Sequence, residues 1–301
     1  MRVIEPITVT ESMLLSSTVS EPDASMGETA YSGAATYNTN DLAVLNHLLY
    51  RSLIDSNTGN SPDVSPNEWL LLGSSNKFRP FYYLTNNRST GATPYVIEVA
   101  PGQKINTIVV TGAVGVSIRV RAIRPGDIVV YDQTRDLVFR ETTGWFSYWF
   151  GEFDVKDKAL FQNIPPVPDA VFEVTITGTG DVGLVNLIFG LETYIGSTQY
   201  GSGDDALDFS TITRDQFGNT TLKPGRVVPT LLPPVFANKG IVPIIRRLRT
   251  RTAGRATVWI GVDDPNDAYF ESHFVFGIWR RFRIDIDYPN NARIDLELEN
   301  L

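Results

Sequence analysis

The stretch that decides the fold is YVIEVAPGQKINTIVVTGAVGVSIRVRAIR, residues 95–124. It holds three runs rich in Val and Ile, residue types that favour strands, and each run is followed by Gly or Pro. The same pattern of strand-like runs separated by turn residues continues in DIVVYDQ, AVFEVTIT and VGLVNLIFG, as far as residue 190. Strands that recur about every ten residues between turn signals are typical of an antiparallel β-sandwich or jelly roll. We therefore predict such a domain over residues 77–200.

The residue composition changes outside this domain. We predict four further segments, in a chain that is mainly β overall. Residues 1–30 carry short apolar runs that fade into Ser, Thr, Glu and Asp, as in an N-terminal arm with a linker. Residues 31–76 alternate short strand-like pieces with turn clusters, which indicates a small β module. Residues 201–226 are rich in Ser, Gly, Asp and Asn and are predicted to be a connector. Residues 227–301 combine strands with one amphipathic helix at Ile241–Leu248, which predicts an α+β assembly domain.

Composition limits the classes of function. The chain has 301 residues, 42% of them hydrophobic and 20% charged, which suits a folded protein of about two or three domains. No apolar run is long enough for a membrane helix, and the first residues lack the pattern of a secretion signal. The absence of Cys excludes disulfides and thiolate sites. The net charge of -8 argues against general binding to nucleic acid.

Patterns of catalytic or metal-binding residues are missing. The chain has two histidines, His47 and His273, and neither lies near a nucleophile motif. The acidic runs at 201–208 and 263–267 lack the spacing of a calcium loop and are more typical of solvated turns. We therefore predict no catalytic residue, no metal site and no cofactor. A pair of glycosidase carboxylates stays open as an alternative, because it depends on distances in space.

Arginines cluster in the last segment, which stands out in an acidic protein. The cluster consists of Arg246, Arg247, Arg249, Arg251, Arg255, Arg280, Arg281 and Arg283. Such a concentration of positive charge indicates contact with an acidic protein surface or with DNA. Because protein interfaces are enriched in Arg, contact with a protein surface is favoured over contact with DNA. The predicted assembly interface comprises Arg246, Arg247, Arg249 and Arg251.

Aromatic residues are densest in GWFSYWFGEF, residues 144–153. Taken as a strand, this stretch has too many large rings to bury on one face. One face is therefore expected to meet another domain, another subunit or a ligand.

The small module at residues 37–69 resembles the chitin-binding-type carbohydrate module of chitinases and phage tail proteins. The residues that match its pattern are Tyr37, Asp41, Tyr50, Pro62, Pro66 and Trp69. Departures from it stand at Asn40, Ala43, Leu45 and His47. The resemblance implies sugar contacts at Tyr37, Tyr50 and Trp69, with a spacer or docking unit as the alternative. In either case Tyr50 and Trp69 are expected to hold the module together, since a domain this small has little other core.

The chain as a whole resembles a family of bacteriophage tail-associated virion structural proteins. The resemblance rests on IEPITVT at 4–10, WIG at 259–261, DIDYP at 285–289 and LELENL at 296–301. The final segment is also similar to the tube-like domain of tail-tip ring proteins.

These resemblances imply a structural component of a phage tail or tail tip, made in the host cytoplasm and located in the virion. Its implied partners are copies of itself, other tail proteins and a host surface glycan, with DNA contact as the less favoured alternative. A second hypothesis is a carbohydrate-binding adhesion protein, and a third is an enzyme that acts on surface polysaccharide.

Overall fold

A computed structural model describes residues 1–83, 87–139, 144–150, 154–265, 267–286 and 288–301. It has 49% of its residues in strands and 8% in helices, and the sheets are mostly antiparallel, which confirms the predicted mainly β fold. Within the described ranges, no helix is long and apolar enough to cross a membrane.

The strands of the first half of the chain are β1 (Arg2–Pro6), β2 (Leu14–Ser17), β3 (Glu28–Ala30), β4 (Thr36–Tyr37), β5 (Leu42–Leu45), β6 (Leu48–Ser52), β7 (Asn57–Thr58), β8 (Trp69–Ser74), β9 (Ser89–Gly91), β10 (Tyr95–Val99), β11 (Thr107–Thr111), β12 (Ser117–Arg124), β13 (Ile128–Asp136) and β14 (Val138–Phe139). Those of the second half are β15 (Asp154–Val155), β16 (Ala159–Phe161), β17 (Val171–Thr177), β18 (Val182–Leu184), β19 (Asn186–Tyr194), β20 (Ser197–Thr198), β21 (Gly203–Asp208), β22 (Thr211–Arg214), β23 (Thr220–Lys223), β24 (Val227–Leu232), β25 (Pro234–Asn238), β26 (Thr257–Ile260), β27 (Phe274–Asp285) and β28 (Asn291–Asn300). The helices are α1 (Trp145–Phe150) and α2 (Val242–Arg251), with short 3-10 turns at Ala24–Met26, Arg79–Phe81 and Lys239–Ile241.

The chain divides into two compact units. The central unit is Ile7–Phe189, and the closing unit joins Met1–Pro6 to Gly190–Leu301. The segment predicted as an N-terminal arm is therefore divided after Pro6. Both parts of it are paired, because β1 lies between β19 and β26 while β2 pairs with β10.

The central unit is built on a β-sandwich. One sheet has the order β13-β12-β17-β10-β2, and the other contains β16, β11 and the first residues of β19. In β12 and β17 buried and partly exposed residues alternate, as expected for strands with one covered face. All five residues of β11 are buried. Side chains of both sheets share one core, including Ile108, Ile118, Phe161, Phe172 and Phe189.

The small module lies between β2 and β9 in the sequence of the central unit. Its main sheet has the order β3-β5-β6-β8, with β4 and β7 as a separate pair. Asn46 and His47 join β5 to β6 with φ angles of 51° and 63°. Two residues with positive φ form the kind of tight turn that matches the twist of a hairpin.

The closing unit has one long sheet covered by a helix. The strand order is β19-β1-β26-β27-β28-β24-β21, and β25 also pairs with β28. Helix α2 confirms the helix predicted from apolar spacing, and buries Ile245 and Leu248 in a core with Trp259 and Phe282. The strands predicted at the end of the chain are present as β26, β27 and β28.

Two local predictions differ from the structure. The stretch WFSYWF, predicted as a strand, is the short helix α1, and the described rings of Trp145, Phe146, Trp149 and Phe150 are largely exposed. Gly151 and Phe153 of the same aromatic stretch lie outside the described residues. The connector at 201–226 contains β21, β22 and β23. Together with β24 these strands make a long two-stranded projection, residues 203–232, which we call the hairpin arm.

Candidate functional site

Helix α2 is held by two buried side chains and by hydrogen bonds at its C-terminal end. Pro243 stands in its first turn, where the missing N–H costs no hydrogen bond. The fully buried side chains of Ile245 and Leu248 lie on the same face, three residues apart. At the other end Thr252 Oγ1 donates to the carbonyl of Leu248 at 2.9 Å, and Trp279 Nε1 donates to the same hydroxyl at 3.0 Å. The outward face of the helix is therefore rigidly presented.

The four arginines of α2 differ in their surroundings. Arg251 Nη2 lies 2.5 Å from Glu5 Oε1, and Arg249 Nη1 donates to the carbonyl of Phe282 at 3.3 Å. Arg246 and Arg247 are exposed, and neither forms an ion pair with any residue that the structure describes. Arg246 and Arg247 are thus the two helix cations free to meet an external acidic group.

The arginines of β27 do not extend this face. In β27 the apolar residues Phe282 and Ile284 belong to the core that α2 covers. Because side chains alternate along a strand, Arg281 and Arg283 lie on the opposite face of the sheet. Arg283 lies 2.7 Å from Asp285, and Arg280 pairs with Glu299. The single cluster expected from the sequence is therefore split.

An apolar pocket lies beside Arg246. It has a volume of about 330 Å³ and is formed where the start of α2 faces the turn between β27 and β28. Its walls include Val242, Pro243, Ile286, Tyr288, Pro289 and Ala292, and Lys239 and Arg246 add two positive charges. Ile286 is 79% exposed, so its side chain adds apolar surface that a partner can cover. Sequence analysis missed this pocket. Its one local signal in the sequence was the position of Ile286 between two aspartates in DIDYP. Asp287, between Ile286 and Tyr288, lies outside the described residues.

The predicted sugar-contacting residues lie in the interior of the small module. Tyr37, Tyr50 and Trp69 are only 6%, 7% and 2% exposed. The rings of Tyr37 and Trp69 meet edge to face at 5.1 Å, and Trp69 Nε1 donates to the carbonyl of Asn60 at 2.9 Å. A sugar-binding ring must offer a face to its ligand. The burial of all three rings argues against the prediction that they contact a sugar, and for Tyr50 and Trp69 it agrees with the expected role in holding the module together.

The two histidines and Asp263 have local contacts within the chain. His47 Nδ1 lies 2.9 Å from Glu21, and its ring stacks on Phe78 at 3.6 Å. His273 contacts the carbonyl of Tyr269 at 3.0 Å. Asp263 pairs with Arg2 at 2.7 Å. Across the described ranges, no group of three or more acidic or histidine side chains is arranged to hold a metal ion.

Comparison with protein-family models, curated proteins and solved structures finds no match to this chain. The site must therefore be interpreted from its own geometry. Exposed Arg246 and Arg247, with an apolar pocket beside Arg246, form a surface suited to an acidic, partly apolar protein partner. We call this surface the α2 face: Arg246, Arg247 and the pocket lined by Ile286 and Tyr288.

Proposed function

We propose that this chain is a structural, non-catalytic component of a phage tail or tail tip, and that it assembles with copies of itself through the α2 face. The observation that carries the assembly role is the pair Arg246 and Arg247, which have no acidic partner among the described residues, together with the apolar pocket that Arg246 borders. Arg pairs well with carboxylates when partly desolvated, and exposed apolar surface favours association. The phage assignment is supported by the resemblance of the motifs at both ends of the sequence.

Two other features support assembly over ligand binding. The aromatic residues of the small module are buried, so a carbohydrate-binding role would need a different surface. The net charge of -8 means that other parts of the same chain can supply acidic partners for the α2 face. Identical chains form a symmetric assembly when a surface of one copy binds a complementary surface of another copy.

The assembly role is tested by measuring oligomeric state. Mass photometry and light scattering over a range of concentrations should show species larger than the 33.4 kDa chain. Arg246→Glu with Arg247→Glu should shift the wild-type oligomer toward monomer, and high salt should do the same by screening. The matched control is Lys104→Glu with Arg135→Glu, an equal change in charge at exposed positions of the central unit.

Circular dichroism should show that both variants stay folded, because exposed charges contribute only about 0–1 kcal/mol to a fold. A wild-type chain that is monomeric at every concentration would overturn the assembly role. The location is tested separately by mass spectrometry of purified phage particles that carry this gene. Absence of the chain from intact particles would overturn the tail assignment.

A further inference from the structure

Helix α1 carries an exposed aromatic surface that the proposed assembly role does not use. The helix lies in the sequence between β14 and β15, which pair with each other as a two-stranded ribbon. Four of its side chains are aromatic rings that are 57–79% exposed: Trp145, Phe146, Trp149 and Phe150. We call these four rings the α1 surface. Rings with this exposure protrude from the protein and do not line a groove.

The four rings form one patch because of their spacing in the helix. Residues four apart are neighbours on a helix surface. The ring centroids of Trp145 and Trp149 are 5.8 Å apart, and those of Phe146 and Phe150 are 5.2 Å apart. At about 100° per residue, the two pairs adjoin each other and cover about 140° of the helix circumference. The helix therefore presents a broad apolar stripe to its surroundings.

The area of the α1 surface is large for apolar side chains in water. An aromatic side chain has about 150–250 Å² to bury, so four rings at these exposures present about 400–700 Å². Soluble proteins rarely expose more than a few hundred Å² of contiguous apolar surface, and larger patches mark contacts with a protein or a membrane. A helix of six residues is also marginal in water by itself, so a contact that covers its stripe stabilises it.

The size, shape and residue types of this surface favour a membrane over a protein partner. A standard protein interface covers about 800 Å² on each partner, which is more than the four rings offer. A protein would also need a preformed concave site to cover protruding rings, whereas the fluid surface of a bilayer conforms to them. Trp is enriched at the boundary between lipid headgroups and acyl chains, because its ring is apolar and its N–H is polar.

The charges near α1 show that such binding does not depend on anionic lipid. Within residues 138–158 the basic residues are Arg140, Lys156 and Lys158, and the acidic ones are Glu141, Glu152, Asp154 and Asp157. Attraction to anionic lipid needs a cluster of Lys and Arg, which this nearly balanced segment does not have. The net charge of the whole chain is -8, which opposes such attraction further. Burial of the rings is therefore the driving force.

We propose that the α1 surface inserts into the interfacial layer of a phospholipid bilayer, with its four rings between the headgroups and the upper acyl chains. The helix enters the membrane surface without spanning it, because six residues make about 9 Å of helix and the bilayer core is about 30 Å thick. Helices that bind in this way enter by about 5–10 Å. The inference goes beyond the proposed assembly function and uses none of the residues of the α2 face.

The first test measures binding to phosphatidylcholine vesicles by flotation. Wild type should float with the vesicles, and Trp145→Ser with Phe146→Ser should bind about tenfold or more weakly, because two rings no longer enter the lipid. The matched control is Tyr200→Ser with Phe217→Ser, which removes two rings of 104% and 79% exposure elsewhere and should bind like wild type. Added anionic lipid should not strengthen binding, and high salt should not release the protein.

The second test locates the inserted residues. Phosphatidylcholine that carries bromine near the top of its acyl chains quenches the fluorescence of tryptophans that reach this depth. Wild type should be quenched on binding. Trp145→Phe with Trp149→Phe keeps four rings in α1, so it should still bind these vesicles but show little quenching. Of the other tryptophans, Trp69 and Trp259 are buried in the protein. A role of α1 in folding alone would not produce this difference.

The outcomes separate this inference from the proposed function. Absence of wild-type binding to phosphatidylcholine vesicles would overturn the inference, and so would equal loss of binding in Trp145→Ser with Phe146→Ser and in its control. If vesicles do not bind and the α1 variant instead changes the size of the oligomer, then the α1 surface is a protein contact. Assembly through the α2 face is judged from Arg246→Glu with Arg247→Glu in the absence of lipid. Circular dichroism should show that every variant is folded, since the substituted side chains are exposed.

Discussion

Arg251 at the end of α2 contacts Glu5 in β1, with 2.5 Å between Nη2 and Oε1. Two residues separated by almost the whole sequence thus join the helix to the first strand of the closing unit. The Arg251 side chain is 58% exposed and that of Glu5 33%, so solvent weakens their attraction. Unlike Arg246 and Arg247, Arg251 already has its acidic partner within the chain.

The first prediction concerns this ion pair. Arg251→Gln should lower the free energy of unfolding by less than about 1 kcal/mol and leave assembly close to wild type. A double-mutant cycle with Glu5→Gln, measured by urea unfolding at low and high salt, gives the coupling between the two residues. The coupling should shrink as salt increases. Loss of assembly in Arg251→Gln, to the extent expected for Arg246→Glu with Arg247→Glu, would contradict the division of roles among the helix arginines.

The second prediction concerns the core of the small module. Trp69 is 2% exposed and forms an edge-to-face contact with Tyr37, so Trp69→Ala should destabilise the module by about 3–5 kcal/mol. Trp69→Phe should cost less, because it keeps a ring but loses the hydrogen bond to Asn60. Hydrogen exchange should show faster exchange across residues 28–76 in Trp69→Ala.

The control for Trp69 is Val64→Ala in the same module, where the side chain is 74% exposed and little change is expected. An unaltered exchange pattern in Trp69→Ala, combined with loss of binding on a glycan array, would restore the carbohydrate-contact interpretation.

Regular features of this fold could be predicted from sequence because they depend on local periodicity. Alternation in β12 and β17, and the spacing of Ile245 and Leu248 in α2, are visible in short windows. Helix α1 was not predicted, because aromatic residues also favour strands and six residues carry little periodicity. In this case propensity pointed to the wrong structure.

The candidate site was predicted only in part, because it depends on contacts between distant residues. Arg246 and Arg247 are evident in the sequence, but the pocket beside them needs Ile286 and Tyr288 from a turn 40 residues later. The arginines of β27 were grouped with those of α2 because a count of charges does not show on which face of a sheet a residue lies. The hairpin arm was taken for a connector, since Gly, Ser and Asp are common in both.

The third prediction concerns stability at alkaline pH. Burial raises the pKa of Tyr95 to about 12, and burial also raises the pKa of Tyr83. Both tyrosines belong to the central unit, and Tyr95 is fully buried with its hydroxyl 2.8 Å from that of Ser89. In the unfolded chain a tyrosine ionises near pH 10, so between about pH 10 and 12 the folded state holds protons that the unfolded state has lost. Stability is therefore fully present below pH 10 and falls as the pH rises toward 12.

The size of this effect can be measured by substitution. A shift of about two pH units corresponds to about 2–3 kcal/mol at the alkaline end of the range. Tyr95→Phe should be less stable than wild type at neutral pH, because the Ser89 hydroxyl keeps its hydrogen bond to the carbonyl of Asn76 but loses the one to Tyr95. The free energy of unfolding should also fall less between about pH 10 and 12 in Tyr95→Phe than in wild type. Denaturant unfolding at a series of pH values measures this difference. Parallel curves for wild type and Tyr95→Phe would mean that Tyr95 does not contribute to the decline.

The last prediction concerns Gly277, where β27 and β28 approach closely. A Cβ atom built at this position would lie 1.8 Å from the carbonyl oxygen of Glu299. That oxygen belongs to backbone within the sheet, so it cannot turn aside as the end of a side chain can. Gly277→Ala must therefore displace β28 from β27, at a cost of about 1–3 kcal/mol or more.

Gly203→Ala is the matched control, because its Cβ would meet only the side chain of Leu232 at 3.8 Å. Hydrogen exchange should show loss of protection in β27 and β28 for Gly277→Ala, with the central unit unchanged. Equal stability of the two variants would mean that the sheet has room at Gly277 and that its close register is not required.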